Sequence, residues 1–176
     1  MLAGKIKYIF SFVLLLLLQV LIFNHIYISG YANPQIYVFF ILMLPVTTPG
    51  YILLLVAFAL GFTVDVFTDS MAIHTAATLF MAFCRPGILR LLIGPTREEE
   101  IVVPSYPNLG IFAVFIYALL LVFIHHTTLF FLEVFRFTNY LETLSRSLVS
   151  TGITLAFVLI AFAFVDSAAS DKHKPL

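Results

Sequence analysis

Two carboxylates and one histidine lie close together between two apolar stretches of the sequence. Asp65 and Asp69 are four residues apart, and His74 follows five residues later. Carboxylate and imidazole groups bind divalent metals, and inside a membrane they also relay protons. A structural role is the alternative, in which Asp65 hydrogen-bonds a neighbouring helix and Asp69 or Ser70 caps the helix that follows. The sequence favours the structural role and leaves metal or proton chemistry open.

The residues before this cluster predict that it sits on a packed helix face. Ala57, Gly61, Asp65 and Asp69 follow one another at four-residue spacing, which places them on one stripe of a helix. Small residues let helices approach closely, and a carboxylate on the same stripe indicates that the stripe meets protein and not lipid.

Asp65 is the one carboxylate that we place within the hydrocarbon region, where a charge costs about 2.5 to 3.5 kcal/mol on insertion scales. We therefore expect a partner, which is His74, Thr78 or a group on an associated protein. If Asp65 only hydrogen-bonds, Asp65→Asn should keep much of the function. After His74, the residues Thr78, Ala82 and Arg85 continue down the face of the next helix.

The composition predicts an integral membrane protein. Apolar residues make up 62% of the 176 positions and charged residues only 10%, against about 25% in soluble domains. Nine basic and nine acidic residues cancel, so no global field favours nucleic acid or an anionic substrate. The single cysteine, Cys84, excludes a disulfide framework and a multi-cysteine metal site.

No motif in the sequence predicts catalysis. The sequence contains no nucleophile with an adjacent base, no phosphate-binding glycine loop and no HExxH motif, so a hydrolase or NTPase lacks its parts. We expect a protein that is not an enzyme and that needs neither cofactor nor metal. His125 and His126 point to different faces of a helix, and we interpret them as interfacial anchors.

The apolar runs predict one transmembrane domain over residues 1–176, with short cytoplasmic tails at 1–7 and 166–176. About six helices are expected, because a span needs roughly 20 residues. They cover residues 8–26, 35–45, 51–67, 71–92, 110–125 and 147–165. The second and third are short, so they form either two tilted spans or a re-entrant hairpin that neighbouring helices bury.

Two shorter features complete this prediction. Residues 127–137, with Glu133 and Arg136 among phenylalanines, are expected to lie at the membrane interface. Asn139 and Glu142 have the spacing of a capping box that opens the last helix.

Basic residues predict the orientation, because short loops rich in lysine and arginine stay in the cytoplasm. Seven basic residues lie on the side of the two termini and two on the other side. The seven are Lys5, Lys7, Arg85, Arg90, Arg97, Lys172 and Lys174, and the two are Arg136 and Arg146. Both termini are therefore expected in the cytoplasm, with Asp69 and Asn139 outside.

The segment from Gly61 to His74, GFTVDVFTDSMAIH, resembles the central signature of the rod shape-determining protein MreD family. In that family a G-x-x-x-D helix ends in a short turn, and a G-x-H element opens the next helix. Residues 33–45, the Arg85-Pro86 pair and the stretch 125–133 also resemble the family, in its Bacteroidota branch. One departure is Ala72, which stands where the family usually has glycine.

The resemblance implies a non-enzymatic subunit of the bacterial cell-elongation machinery in the inner membrane. It implies binding to the bitopic protein MreC, with RodA and a class B penicillin-binding protein as neighbours, and a fold similar to the substrate-binding subunits of energy-coupling-factor transporters. Gly61, Asp65, Asp69, His74 and Arg85 are then residues for partner binding or intramembrane polar contacts. Membrane lipid is the other expected contact. The alternatives are a vitamin-binding transporter subunit and a proton or ion conductor.

Overall fold

The computed structural model describes residues 2–26, 33–94, 103–134 and 140–170, with side chains from 6 to 168, and their regular elements are all helices. Seven are α-helices: α1 (Leu2–Leu21), α2 (Phe39–Met43), α3 (Gly50–Thr68), α4 (Ile73–Ile93), α5 (Tyr106–Leu109), α6 (Ile111–Val134) and α7 (Tyr140–Ser170). Short 3-10 helices cover Phe23–His25 and Ile36–Val38.

Five helices are long and apolar enough to cross a membrane. They are α1 with its 3-10 extension, α3, α4, α6 and α7, and the shortest, α3, has 19 residues. At 1.5 Å per residue that length gives about 28 Å, close to the hydrocarbon thickness of about 30 Å. The chain is therefore a multi-pass helical membrane protein, with five such helices in the described ranges where about six were expected.

The second predicted span differs most from the expectation. Its helical part is limited to Ile36–Val38 and Phe39–Met43, which is too short to cross a bilayer. Every side chain of residues 36–44, which we call the buried segment, is buried. The third predicted span is instead the full-length α3, so the two do not form a hairpin of two short arms. Non-helical backbone at membrane depth is tolerated where protein surrounds it, as here.

The five long helices and the buried segment alternate in direction along the chain. Contacts that establish this join Phe12 to Phe40, Gln19 to Gln35, Asp65 to Thr75, Arg85 to Tyr117, Thr78 to His125, His126 to Thr154 and Tyr106 to Asp166. One end of the bundle, which we call the Asp65 end, therefore contains the last turns of α1, α3 and α6 and the first turns of α4 and α7. The start of α1 and the end of α7 share the opposite end.

One predicted helix boundary is wrong. The fifth span does not end at His125, because α6 continues as one helix to Val134 and includes most of the predicted interfacial piece. Helix α7 extends through residues 166–170, so the predicted C-terminal tail is partly helical. Several predictions lie outside the described residues, namely those for Arg97, the run Glu98, Glu99 and Glu100, Arg136, Asn139, Lys172 and Lys174.

Candidate functional site

Asp65 lies at the centre of a hydrogen-bonded group that joins α3 to α4. Its Oδ1 accepts the backbone N–H of His74 at 2.9 Å and the Ser70 hydroxyl at 2.5 Å. Its Oδ2 accepts the backbone N–H of Thr75 at 2.8 Å and the Thr75 hydroxyl. The His74 ring contributes Nδ1 at 3.1 Å from Oδ1. We call Asp65, Ser70, His74 and Thr75 the Asp65 clasp.

The clasp caps α4 from a distance. The first N–H groups of a helix have no partner within it, and Asp65 on α3 satisfies two of them in α4. Asp65 is 5% exposed, so this carboxylate is buried yet fully hydrogen-bonded. Of the partners expected for it, His74 is confirmed, whereas Thr78 donates to the carbonyl of His74 instead.

The turn between α3 and α4 uses two left-handed residues. Asp69 has φ 53° and Ala72 has φ 60°, in the region that glycine adopts most easily. Asp69 is exposed and ends α3, so it does not join the clasp and does not cap α4. Ala72 is the residue that stands where the resembling family has glycine, and its conformation gives that preference a physical reason.

Gly61 allows α3 and α4 to touch. A Cβ atom on Gly61 would lie 2.6 Å from the Cα of Thr75 and 2.8 Å from the carbonyl oxygen of His74. Both are backbone atoms, so neither can move away by a rotamer change. Of the predicted stripe, Ala57, Gly61 and Asp65 are buried, whereas Asp69 is exposed.

His125 and His126 lie deep in the bundle, so interfacial anchoring is wrong for both. His125 Nε2 is 2.8 Å from the hydroxyl of Tyr37, which is also 3.2 Å from that of Thr78. His126 Nε2 is 3.2 Å from the hydroxyl of Thr154 on α7. The two rings do contact different elements, as their adjacency predicted. They connect α6 to the buried segment, α4 and α7.

Arg85 forms a second polar cluster nearer the opposite end. It is 1% exposed, and its Nε donates to the Tyr117 hydroxyl at 2.7 Å. Its Nη2 donates to the carbonyl of Leu44, and Nη1 lies 3.5 Å from the carbonyl of Pro45. Tyr117 in turn donates to the carbonyl of Leu42 at 3.0 Å.

This cluster caps the carboxyl end of α2. The last carbonyls of a helix lack partners within it, and a cation there also complements the helix dipole. Arg85 is therefore an interior residue of α4 and not part of a cytoplasmic loop. Removing it from the orientation count leaves six basic residues against two, so the predicted orientation keeps its asymmetry.

The amino end of the buried segment is held by two residues that the sequence analysis missed. Gln19 Oε1 lies 2.7 Å from the backbone N of Ile36 and 3.4 Å from that of Tyr37. The Thr154 hydroxyl accepts the N–H of Gln35 at 3.0 Å. The available signal was an isolated glutamine inside the apolar run of α1, since polar residues within membrane helices usually have a function.

Apolar packing separates the Arg85 cluster from the polar groups around His125. Tyr117 and His125 are eight residues apart on α6, which is about 12 Å along a helix. Between these levels the buried residues Ile41, Met81 and Leu121 are fully enclosed. A proton or ion path needs polar groups or water along its whole length, so this layer argues against a conductor.

A polar pocket of about 220 Å³ lies at the Asp65 end. Its lining comprises Asn24, Asn33, Gln35, Thr68, Ser70, Ile73, His74, Leu129, Phe130, Glu133 and Arg146. Glu133 and Arg146 form an ion pair at 3.1 Å, with side chains 44% and 26% exposed, so the rim reaches solvent. Within the described residues, no group of three or more histidine, cysteine, aspartate or glutamate side chains is arranged to hold a metal ion.

Comparisons of the chain with family models, with curated proteins and with solved structures found no match. What the site can do is therefore argued from its geometry. The clasp and the Arg85 cluster use their polar groups to fix the positions of three helices, α3, α4 and α6, and of the buried segment. The pocket gives this arrangement room for another molecule.

Proposed function

We propose that the chain is a non-enzymatic membrane subunit of the bacterial cell-elongation machinery, similar to the MreD family, that binds an MreC-like bitopic protein. One observation carries this proposal. The residues on which the resemblance rests, Gly61, Asp65 and His74, form a single unit in space, the junction of α3 and α4, and Ala72, the departure from the family pattern, lies in the turn between them. Chains that share a fold must share the residues that specify its packing, and this short motif specifies one closely packed junction.

The chemistry of the clasp supports a structural role. Both oxygens of Asp65 accept hydrogen bonds from within the chain, including two from backbone N–H groups that cannot release a proton to a substrate. A buried carboxylate in such surroundings positions helices. It has no free lone pair directed toward a reacting group.

The proposal includes an arrangement in the inner membrane. The buried segment descends antiparallel to α1 and reaches the level of Arg85, so with the five long helices it makes a sixth crossing. Both termini then lie in the cytoplasm, and the Asp65 end faces the periplasm. The resemblance to the MreD family implies that this arrangement is similar to that of the substrate-binding subunits of energy-coupling-factor transporters. RodA and a class B penicillin-binding protein are the proposed neighbours in the complex, lipid surrounds the outward faces, and nucleic acid is not a partner.

Depletion in the native host tests the proposed function. Loss of the chain should turn rod-shaped cells round within a few generations, and re-expression of the wild-type chain should restore the rods. Cells that keep their shape after complete depletion would refute the elongation role. Labelling of a cysteine introduced at Asp69 tests the orientation in the same strain: an impermeant maleimide added to intact cells should react, and protection of that position would contradict the arrangement.

A transporter subunit is the second candidate, and the polar pocket is the observation that favours it. The pocket opens at the end of the bundle where an outward-facing substrate site would lie. Its volume of about 220 Å³ is below the roughly 300 to 1,000 Å³ typical of sites that enclose drug-sized ligands. The pocket is thus small for a vitamin. Tight binding of a vitamin to the purified chain would reverse this ranking.

A further inference from the structure

Two residues that line the polar pocket carry buried hydrogen-bonding atoms that nothing within the described chain satisfies. Gln35 Nε2 and Asn33 Oδ1 are both buried without a partner, and both residues line the pocket. A buried polar group without a partner costs about 1 to 3 kcal/mol, so an unfilled pocket is unfavourable at these two atoms. Gln35 as a whole is 1% exposed.

Backbone contacts fix which end of the Gln35 amide is free. Gln19 Oε1 accepts backbone N–H groups, so its Nε2 must point the other way, toward the carbonyl of Pro34 at 3.2 Å. That same Nε2 lies 3.1 Å from Gln35, and a donor requires an acceptor there. Gln35 therefore presents its oxygen to Gln19, and its NH₂ group is left without a partner.

The pocket carries little uncompensated charge. Its two oppositely charged side chains, Glu133 and Arg146, pair with each other, and His74 lies against the carboxylate of Asp65. The remaining polar lining consists of amides and hydroxyls, which offer donors and acceptors to a neutral group. Ile73, Leu129 and Phe130 supply the apolar part.

From these groups we propose that the pocket binds an uncharged carboxamide. The carbonyl oxygen of the ligand accepts from Gln35 Nε2, and its NH₂ group donates to Asn33 Oδ1. The volume equals that of about seven water molecules at roughly 30 Å³ each, which suits a ligand the size of one amino-acid side chain. The carboxamide belongs either to a free small molecule or to a side chain of a membrane partner. This inference does not depend on the elongation role.

Ligand-observed NMR on the full chain in lipid nanodiscs tests the proposal, with N-acetylglycinamide and N-acetylglycinate as matched probes. The amide should bind saturably, and the carboxylate at least about tenfold more weakly, which corresponds to about 1.4 kcal/mol. Equal or tighter binding of the carboxylate, or no saturable binding of the amide, would overturn the proposal.

Three variants locate the binding. Gln35→Glu keeps an oxygen for Gln19 but removes the free NH₂, and amide affinity should fall by at least about tenfold. Ile73→Phe narrows the pocket without removing a polar group and should also abolish binding. Asn108→Asp makes the same amide-to-acid change at an exposed position at the opposite end and should leave binding unchanged. Wild-type affinity in both pocket variants, with helical content intact, would contradict the assignment.

Two further measurements distinguish a free small molecule from a side chain of a membrane partner, and a positive result in either one supports the site. A small amide released on denaturing the natively purified chain and detected by mass spectrometry indicates a free ligand. Release of a membrane partner by excess N-acetylglycinamide, with no effect of N-acetylglycinate, indicates a partner side chain.

Discussion

Gly61 and Thr75 bring α3 and α4 into close contact, since a Cβ on Gly61 would stand 2.6 Å from the Cα of Thr75. That contact brings Asp65, one turn further along α3, within reach of the first N–H groups of α4. The close approach and the clasp are thus parts of one device. Weakening either should loosen the junction that the proposed function depends on.

Gly61→Ala should destabilise the protein by about 1 to 3 kcal/mol, because a methyl group forced against backbone atoms must push the helices apart. Unfolding in detergent, followed by circular dichroism, measures the change. Gly152→Ala is the matched control, since a Cβ there meets nothing within 4 Å. It should be neutral or slightly stabilising. Equal effects of the two substitutions would show that the predicted clash is absent.

Ala72→Gly should stabilise the protein by about 1 kcal/mol, because a left-handed conformation costs about 1 to 2 kcal/mol for a residue with a Cβ and part of that gain is lost to the greater chain entropy of glycine. Ala76→Gly, at an exposed position inside α4, provides the opposite case and should destabilise by about 0.5 to 1 kcal/mol. Thermal unfolding of both variants under one detergent condition tests this sign reversal. If both variants lose stability, Ala72 is not left-handed.

Asp65→Asn should lower the stability of the protein, which revises the expectation that this variant keeps much of the function. Each carboxylate oxygen accepts a backbone N–H, and an amide offers one oxygen, so one buried donor loses its partner at a cost of about 1 to 3 kcal/mol. Asp65→Leu removes both acceptors and should cost more. Unfolding free energies of the two variants give the order.

Thr75→Val separates the clasp from a proton relay. The substitution removes a hydroxyl that donates to Asp65 and leaves its carboxylate able to titrate. A structural clasp predicts that stability falls by about 0.5 to 1.5 kcal/mol and that less of the partner is recovered. A relay predicts no change in either measurement. Unaltered stability and partner recovery in Thr75→Val would therefore argue for the relay.

The sequence was sufficient for the features that depend on periodicity and residue size. The stripe of Ala57, Gly61, Asp65 and Asp69 predicted a packed face, and its first three residues are buried while Asp69 is exposed. The buried segment was only half predicted, because Asn33-Pro34 and Pro45 mark its ends and its short length but do not show that only part of it is helical. What holds it comes from Gln19, Arg85 and Thr154 on three other helices. Such long-range contacts leave no periodic signal.

The histidines show the same limit in a different way. Adjacent polar residues near the end of an apolar run usually mark a membrane boundary, and that pattern suggested an interface for His125 and His126. Their burial depends on Tyr37 and Thr154, which are distant in the sequence and supply hydrogen bonds inside the bundle. Only the packing of three elements shows that a polar pair can be buried there.

Tyr117→Phe should destabilise by about 1 to 3 kcal/mol, because it leaves the carbonyl of Leu42 and the Nε of Arg85 without a shared partner. The loss should concentrate in residues 36–45, where hydrogen exchange followed by mass spectrometry should become faster. Tyr51→Phe is the control, since Tyr51 is 75% exposed and should change neither measurement. Uniform exchange across the chain in Tyr117→Phe would show that Tyr117 does not hold the buried segment in particular.

Recovery of a bitopic partner tests the central claim most directly. The tagged chain is purified from membranes of its native host in mild detergent, and co-purifying proteins are quantified by mass spectrometry against an unrelated tagged membrane protein of similar size. Our account predicts that an MreC-like protein with one membrane helix co-purifies in near-stoichiometric amounts with the wild-type chain and with the Gly152→Ala variant. At matched membrane levels, much less of this partner should co-purify with Gly61→Ala. Absence of any such partner from the wild-type preparation, with the chain itself folded, would contradict the account.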